Sequence, residues 1–110
     1  MERSQASDEE RQKRLAHNEA LDRQLNERKA EWIERGLSTA GFRCECATLH
    51  CGARFQVSPK RWQDVHSQSD RFLVFPGHVA ADIEVVVEEY PDYWIVEKQG
   101  EAAKVAEAMD

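Results

Sequence analysis

All three cysteines of this 110-residue chain, Cys44, Cys46 and Cys51, lie within a short segment, and His78 follows a Pro76-Gly77 pair downstream. Three thiolates and one imidazole form a complete tetrahedral ligand set for Zn²⁺, and a closed set of four protein ligands is typical of a structural site. The C-x-C-x4-C spacing can supply three ligands from one β-hairpin. The sequence therefore predicts Zn²⁺ as a cofactor, bound by Cys44, Cys46, Cys51 and His78.

The fourth ligand has other candidates. His50 adjoins Cys51, but adjacent residues rarely reach one ion together without strain, so His50 is a better supporting group than a ligand. His66 is the other histidine candidate, and a water molecule in the fourth position would leave the site open for chemistry. Metal-free buried cysteines and a strained C-x-C disulfide are further interpretations, which the clustering of the thiols disfavours.

Motifs for catalysis are absent from the sequence. It contains no nucleophile elbow, phosphate-binding loop, dinucleotide fingerprint or H-E-x-x-H motif, and the H-x-E and P-C-x-x-C signature of zinc deaminases is missing as well. The carboxylates between Asp82 and Glu89 are typical of a solvated face. We expect no catalytic residues and a protein that is not an enzyme.

A β-hairpin should position the cysteines. The segment from Phe42 to Cys46 alternates with period two, which places Phe42, Cys44 and Cys46 on one strand face. Gly52 allows a tight turn after Cys51, and residues 54–57 are predicted to return as the second strand.

The remaining elements are short. Ser58 and Pro59 are a capping residue and a first helical residue, so a helix should run to about His66 with Trp62 and Val65 inward. Strands are predicted at 71–75 and 93–97.

The segment 82–90 is ambiguous, because its β-branched residues favour a strand whereas its apolar positions have helical spacing. We predict a helix there. A weak helix is expected within residues 101–110.

A long amino-terminal helix is predicted over residues 11–35, which contain neither Gly nor Pro, and Gly36 should end it. Its large apolar side chains form one stripe: Leu15, Leu21, Leu25, Trp32 and Ile33, continued by Leu37. The pattern favours packing of this stripe on the chain's own core. The alternative is a partner-binding helix that uses Leu15, Leu21 and Leu25.

These elements predict an α+β fold with a long N-terminal helix, a zinc-clasped β-hairpin, short helices and a small, mostly antiparallel sheet. We expect residues 1–36 to be a helical extension with 1–10 frayed, 37–98 to be the zinc-binding α+β domain, and 99–110 to be a tail.

Charge and hydropathy restrict the partners. The net charge is −6, and residues 81–110 carry two basic and nine acidic side chains, which would repel a phosphate backbone. The sequence offers no membrane-spanning stretch and no secretory signal, so we expect a cytoplasmic protein without a membrane partner. A nucleic-acid interface, although disfavoured, would use the basic middle segment: Arg43, Arg54, Lys60, Arg61 and Trp62.

The motifs F-x-C-E-C-x4-C, from Phe42 to Cys51, and R-F-x-V-x-P-G-H, from Arg71 to His78, occur here in this order. In this the chain resembles a group of small uncharacterised bacterial proteins, frequent in actinobacteria, over roughly residues 25–98. The resemblance implies that the three cysteines and His78 act together, and that Glu45 and Arg71 support the site or the fold. It implies no activity.

Three functions follow as hypotheses. The first is a small zinc-stabilised interaction or regulatory module without catalysis, whose helix engages a protein partner. The second is a nucleic-acid-associated or transcription-associated regulator. The third is a thiol or zinc sensor, or a zinc enzyme, which needs a reactive thiolate or an open metal position.

Overall fold

A computed structural model describes residues 4–36, 41–46, 48 and 51–109, with side chains from residue 10 onward. Within these ranges the chain forms, in order, α1 (Ser4–Glu34), β1 (Phe42–Arg43), β2 (Arg54–Phe55), α2 (Pro59–Val65), β3 (Arg71–Val74), β4 (Glu84–Glu89), β5 (Trp94–Lys98) and α3 (Gly100–Ala108). The predicted α+β class, with its long first helix and small antiparallel sheets, is confirmed.

The long helix α1 has 31 residues and is therefore about 46 Å in length. It begins at Ser4, seven residues before the predicted start at residue 11. Gly36 follows the helix with φ 73°, the left-handed conformation that a helix-ending glycine provides. Among the described residues no helix is both long enough and apolar enough to cross a membrane.

Two antiparallel sheets form the β structure. β1 and β2 pair in the predicted hairpin, with Phe42 opposite Phe55, and the Cys44 amide extends the pairing by donating to the Ala53 carbonyl at 2.9 Å. The second sheet has the strand order β3-β5-β4, so β5 is its central strand. Bonds from the hairpin to β3 connect the two sheets, because the amide of Glu45 donates to the Leu73 carbonyl at 2.9 Å.

The predicted helix at 82–90 is wrong. Residues Glu84–Glu89 form β4, in which Glu84, Val86 and Glu88 are more buried and Val85 and Val87 are exposed. β4 pairs with β5 and carries a bulge between Val86 and Glu88. The apolar residues showed helical spacing because successive valines occupy both faces of the strand. The β-branched propensity of the segment and its pairing with β5 determine the structure.

The short helices agree with the sequence-based expectation. The Ser58 hydroxyl accepts a hydrogen bond from the Arg61 amide at 3.1 Å and caps α2, which buries Trp62 and Val65. The Trp62 ring stacks on Phe42 with centroids 5.6 Å apart, which fixes α2 against the hairpin. The predicted terminal helix is α3, which packs against α1 and buries Ala102.

The α1 helix is oriented with its apolar stripe outward. Leu21, Leu25 and Trp32 are 40%, 47% and 51% exposed, so the expectation that this stripe packs on the core is wrong for these three residues. Of the stripe residues that the structure describes, only Leu15 and Ile33, at its margin, pack partly against the core; Leu37 lies outside the described residues. The buried face of α1 consists of small and polar residues: Ala16, Glu19, Ala20, Asp22, Arg23, Asn26 and Ala30.

Partners on the rest of the domain make this polar burial possible. Lys98 of β5 forms ion pairs with Glu19 of α1 and Glu84 of β4, and the side chains of Glu19 and Lys98 have no solvent exposure. Arg43 pairs with Asp22 at 3.0 Å. Buried charges are tolerated where they are paired and hydrogen-bonded. We call this set, together with Arg23 and Asn26, the polar layer.

Candidate metal centre

Cys44, Cys46, Cys51 and His78 each place a ligand atom within 4.8 Å of the others. The Nδ1 atom of His78 is 3.6 Å from the Cys44 sulfur and 3.4 Å from the Cys51 sulfur. In a tetrahedral site with metal–sulfur and metal–nitrogen bonds of ~2.3 and ~2.0 Å, sulfur and nitrogen lie ~3.5 Å apart. This set, the Cys3His cluster, can therefore hold a metal ion.

Local backbone conformation aims these side chains at one point. Gly52 has φ 76°, which turns the chain directly after Cys51 and back into β2. Gly77 has φ 89° in the turn that follows β3, where the His78 amide donates to the Phe75 carbonyl at 2.9 Å. A residue with a side chain adopts such φ values at a cost, so both glycines suit their positions.

Backbone amides support the sulfur atoms. The Phe75 amide donates to the Cys44 sulfur at 3.1 Å, which ties the turn after β3 to the hairpin. The pKa of Cys46 is lowered to about 4, because the Cys44 thiol donates a hydrogen bond to its sulfur and the Thr48 amide and His78 add further bonds. The same bond to Cys46 and burial raise the pKa of Cys44. Thiolate is the form that binds metal, and amide donors stabilise it.

Glu45 stands between two of the cluster cysteines in the sequence. Its carboxylate points away from them into the core and has no solvent exposure. Its oxygens accept hydrogen bonds from Asn26 Nδ2 and Trp62 Nε1, both at 2.9 Å, and from the Leu73 amide at 2.8 Å. His66 Nε2 lies 2.8 Å from the same carboxylate. Burial alone would raise the pKa of Glu45, but His66 and these donors together hold it below its ordinary value.

This network fixes the hairpin against three other elements, because its donors come from α1, α2 and β3. Asn26 also brackets the hairpin backbone: its Nδ2 donates to the Arg43 carbonyl at 2.9 Å and its Oδ1 accepts from the Arg43 amide at 3.0 Å. Glu45 thus supports the fold beside the cluster, whereas Arg71, the other residue implied by the resemblance, pairs with Glu97 across the sheet at 3.0 Å.

The histidine alternatives have different outcomes. His66 lies outside the Cys3His cluster and in contact with Glu45 and Phe72, so its role is in the core. His50 lies outside the described residues. His78 is the histidine that the structure places with the three sulfurs.

A cavity of about 560 Å³ adjoins one side of the cluster. Its lining includes three cluster residues and a cation: Arg11, Leu15, Cys46, Thr48, Cys51, Gly77, His78, Val79 and Ala80. Arg11 is held at this rim by an ion pair with Asp82. Cys44 does not line the cavity and is 2% exposed, Cys46 lines it and is 4% exposed, and Cys51 is the least buried of the three thiols.

The proposed nucleic-acid residues do not provide an open basic face. Trp62 is only 3% exposed and donates to Glu45, so its inclusion in such a face is wrong: a buried ring cannot stack on bases. Arg61 is engaged by Tyr93 at 3.2 Å and Glu88 at 3.3 Å. Three of the four basic side chains pair with carboxylates: Arg43 with Asp22, Lys60 with Asp64, and Arg61 with Glu88.

Reasoning from the sequence missed the polar layer that positions the hairpin. No motif marks Asn26, Glu19 or Lys98, so the sequence assigned them no role. One signal was available: the face of α1 opposite its leucines combines alanines with polar residues, and small residues allow close approach of a helix to its neighbours.

Comparisons with known proteins give no relative to which the site can be compared. No family model matches the chain, no curated protein matches it, and no solved structure matches it. The interpretation of the site therefore depends on its own geometry.

Proposed function

We propose that this protein is a small zinc-stabilised module for protein interaction or regulation, without catalytic activity. The observation that carries the proposal is the convergence of three sulfurs and one imidazole nitrogen within 4.8 Å. Zn²⁺ favours sulfur and nitrogen ligands in a tetrahedron, and iron–sulfur clusters usually need four cysteines. The sulfur–nitrogen separations of 3.4 and 3.6 Å suit that tetrahedron.

The bound ion would stabilise the fold. Cys44, Cys46 and Cys51 come from the hairpin region and His78 from the turn after β3, so a shared ion joins the hairpin to the three-stranded sheet. Ligands that converge only in the folded chain make the free energy of metal binding part of the free energy of folding. Four protein ligands also leave no position for a substrate, which supports a structural role.

The interaction surface of the proposed module is the outward stripe of α1. Leu21, Leu25 and Trp32 recur along one face of a helix whose other face is anchored in the domain. Exposed apolar side chains in a row are typical of partner-binding helices. Leu15, also expected in this surface, is half-buried and packs beside Ile83 and Ala102, so it contributes less.

The zinc proposal is tested by metal analysis and chelation. We expect one Zn²⁺ per chain in protein refolded with zinc, and loss of the cooperative thermal transition in circular dichroism when a strong chelator removes it. Re-addition of Zn²⁺ should restore the transition. A chain without bound zinc, or a melting curve that the chelator leaves unchanged, would contradict the proposal.

The interaction proposal needs point substitutions, because deletion of α1 would also remove Glu19, Asp22 and Asn26 from the polar layer. A Leu21→Ser, Leu25→Ser double variant should lose bound proteins in affinity capture, compared with the wild type. The matched control is Gln24→Ser, Arg28→Ser on the same exposed part of the helix. Equal capture by wild type and leucine variant would contradict this part of the proposal.

A further inference from the structure

Among the described residues, a cavity adjoins part of the Cys3His cluster. Cys46, Cys51 and His78 line the cavity of about 560 Å³, whereas Cys44 is 2% exposed and does not line it. Cys51 is also the least buried of the three thiols. A small reagent in the cavity can therefore reach the Cys51 sulfur first, with Cys46, which is 4% exposed, also in the cavity lining.

The sulfurs of Cys46 and Cys51 also lie close together. They belong to a set of ligand atoms within 4.8 Å, and only four residues separate Cys46 from Cys51 in the hairpin. A disulfide needs the two sulfurs to approach from within 4.8 Å to ~2.05 Å.

We infer that Cys46 and Cys51 are a peroxide-sensitive pair, whose oxidation to a disulfide releases the metal ion from the cluster. The inference rests on the proposed zinc site and extends it to a regulatory modification. Cys44 and His78 remain as two ligands after the reaction, and two ligands do not complete a tetrahedral site.

The chemistry balances with hydrogen peroxide as the oxidant. The Cys51 thiolate attacks one peroxide oxygen, an S–O bond forms, the O–O bond breaks and hydroxide leaves. The Cys46 thiolate then attacks the Cys51 sulfur, so that the S–S bond forms, the S–O bond breaks and a second hydroxide leaves. Two sulfurs lose two electrons in total, the peroxide gains them, and two protons convert the hydroxides to water.

The first measurement treats the zinc-loaded chain with hydrogen peroxide and follows released Zn²⁺ with a chromophoric chelator. Free thiols are alkylated after unfolding, and peptide mass spectrometry locates the disulfide. We expect one Zn²⁺ released for each Cys46–Cys51 disulfide, with Cys44 alkylated. Equal participation of Cys44 in disulfides would overturn the inference.

The cavity route is tested with variants that keep all four ligands. Ala80→Leu and Thr48→Phe enlarge side chains of the cavity lining and should slow zinc release several-fold. The matched control is Ala81→Leu, which enlarges an exposed neighbouring residue outside the lining and should release zinc at the wild-type rate. Thermal melting of each zinc-loaded variant verifies that it is folded.

The outcomes separate the two proposals. If the chain binds no zinc, the proposed function fails. A second outcome is a zinc-loaded chain that keeps its zinc and its reduced sulfurs at peroxide concentrations that oxidise the zinc-free chain. In that case only this inference fails. Release at the wild-type rate from both cavity variants would likewise overturn the cavity route.

Discussion

The Cys3His cluster and the polar layer both connect the three-stranded sheet to the rest of the chain, but they differ in what completes them. In the cluster, three sulfurs and one imidazole of the described residues converge. In the polar layer the chain supplies both signs of charge, as Lys98 does between Glu19 and Glu84. If the cluster holds Zn²⁺ as proposed, it depends on an ion from solution, whereas the polar layer depends on its own residue pairs.

Glu45 connects these two regions. Its neighbours in sequence, Cys44 and Cys46, belong to the cluster, while its carboxylate accepts from Asn26 of the polar layer at 2.9 Å. Loss of either region should consequently disturb the other. The following substitutions test how independent the two regions are.

The largest effect is expected from loss of a buried ligand. Cys44→Ser replaces a sulfur that is 2% exposed and should abolish tight zinc binding. Structural zinc sites contribute roughly 10 kcal/mol or more, as much as the whole stability of a small domain, so the variant should lose its cooperative melting transition. Circular dichroism with and without zinc measures this. Thr48→Ser, beside the cluster, is the control, and zinc-dependent melting retained by Cys44→Ser would contradict the prediction.

Glu45→Gln tests the connection between the regions. The amide group that it introduces presents two donors to a site where Asn26, Trp62 and Leu73 already donate. Breaking such a buried, charge-assisted network should lower the free energy of unfolding by about 4 kcal/mol in the zinc-loaded protein. Urea denaturation measures the loss, with the exposed Glu89→Gln as control. A loss no larger than that of the control would show that the network does not hold the hairpin.

Lys98→Met tests whether the polar layer depends on its own pairs. The change leaves Glu19 and Glu84 buried without their cation and should lower the free energy of unfolding by about 3 kcal/mol. Combining it with Glu19→Leu and Glu84→Leu should recover most of this stability, because a buried apolar set avoids the desolvation cost. Urea denaturation of the single and triple variants shows whether the stability lost in Lys98→Met comes from the unpaired carboxylates or from lost packing. A triple variant less stable than the single one would contradict the pairing argument.

Asp22 gives the polar layer a pH dependence. Burial raises its pKa from 3.8 to about 7, against the opposing effect of Arg43. A carboxyl group with a raised pKa in the folded state binds a proton more readily there than in the unfolded chain. Its contribution to stability is therefore present at low pH and is lost as pH rises through about 7.

Between pH 6 and pH 8, with saturating zinc, the wild type should lose stability relative to Asp22→Asn as pH rises, by at most ~1.4 kcal/mol per pH unit. Comparison of the two proteins cancels the pH dependence of zinc binding, which both share. Parallel stability curves for the two proteins over this range would mean that Asp22 does not titrate there.

The contrast between the regions also explains what the sequence could reveal. Ligand chemistry demands particular residue types at short spacing, so Cys44, Cys46 and Cys51 were recognisable and His78 followed from its turn. The Ser58 cap and the hairpin were predictable for the same local reason. The polar layer has no local signature, because Glu19 and Lys98 are far apart in sequence and each alone resembles a surface charge.

The same limit explains two of the wrong expectations. Helical periodicity located the stripe on α1 correctly but could not show which face meets the core, since ion-pair partners for the polar face come from β1 and β5. At 82–90 the apolar spacing suited a helix. The segment is a strand because Val86 pairs with Val96 in β5, and the local sequence does not reveal that long-range contact.

The smallest expected effect is the sharpest test of how α1 is oriented. Leu21 and Leu25 are 40% and 47% exposed, so Leu21→Ala and Leu25→Ala should each change the free energy of unfolding by less than about 0.5 kcal/mol. The matched substitution on the opposite face is Ala20→Leu, at a site with no exposure, where overpacking should cost about 2 kcal/mol. Urea denaturation of the three zinc-loaded variants measures both. The reverse ranking, with leucine losses of roughly 2–5 kcal/mol, would place the leucine stripe in the core and the polar layer in solvent.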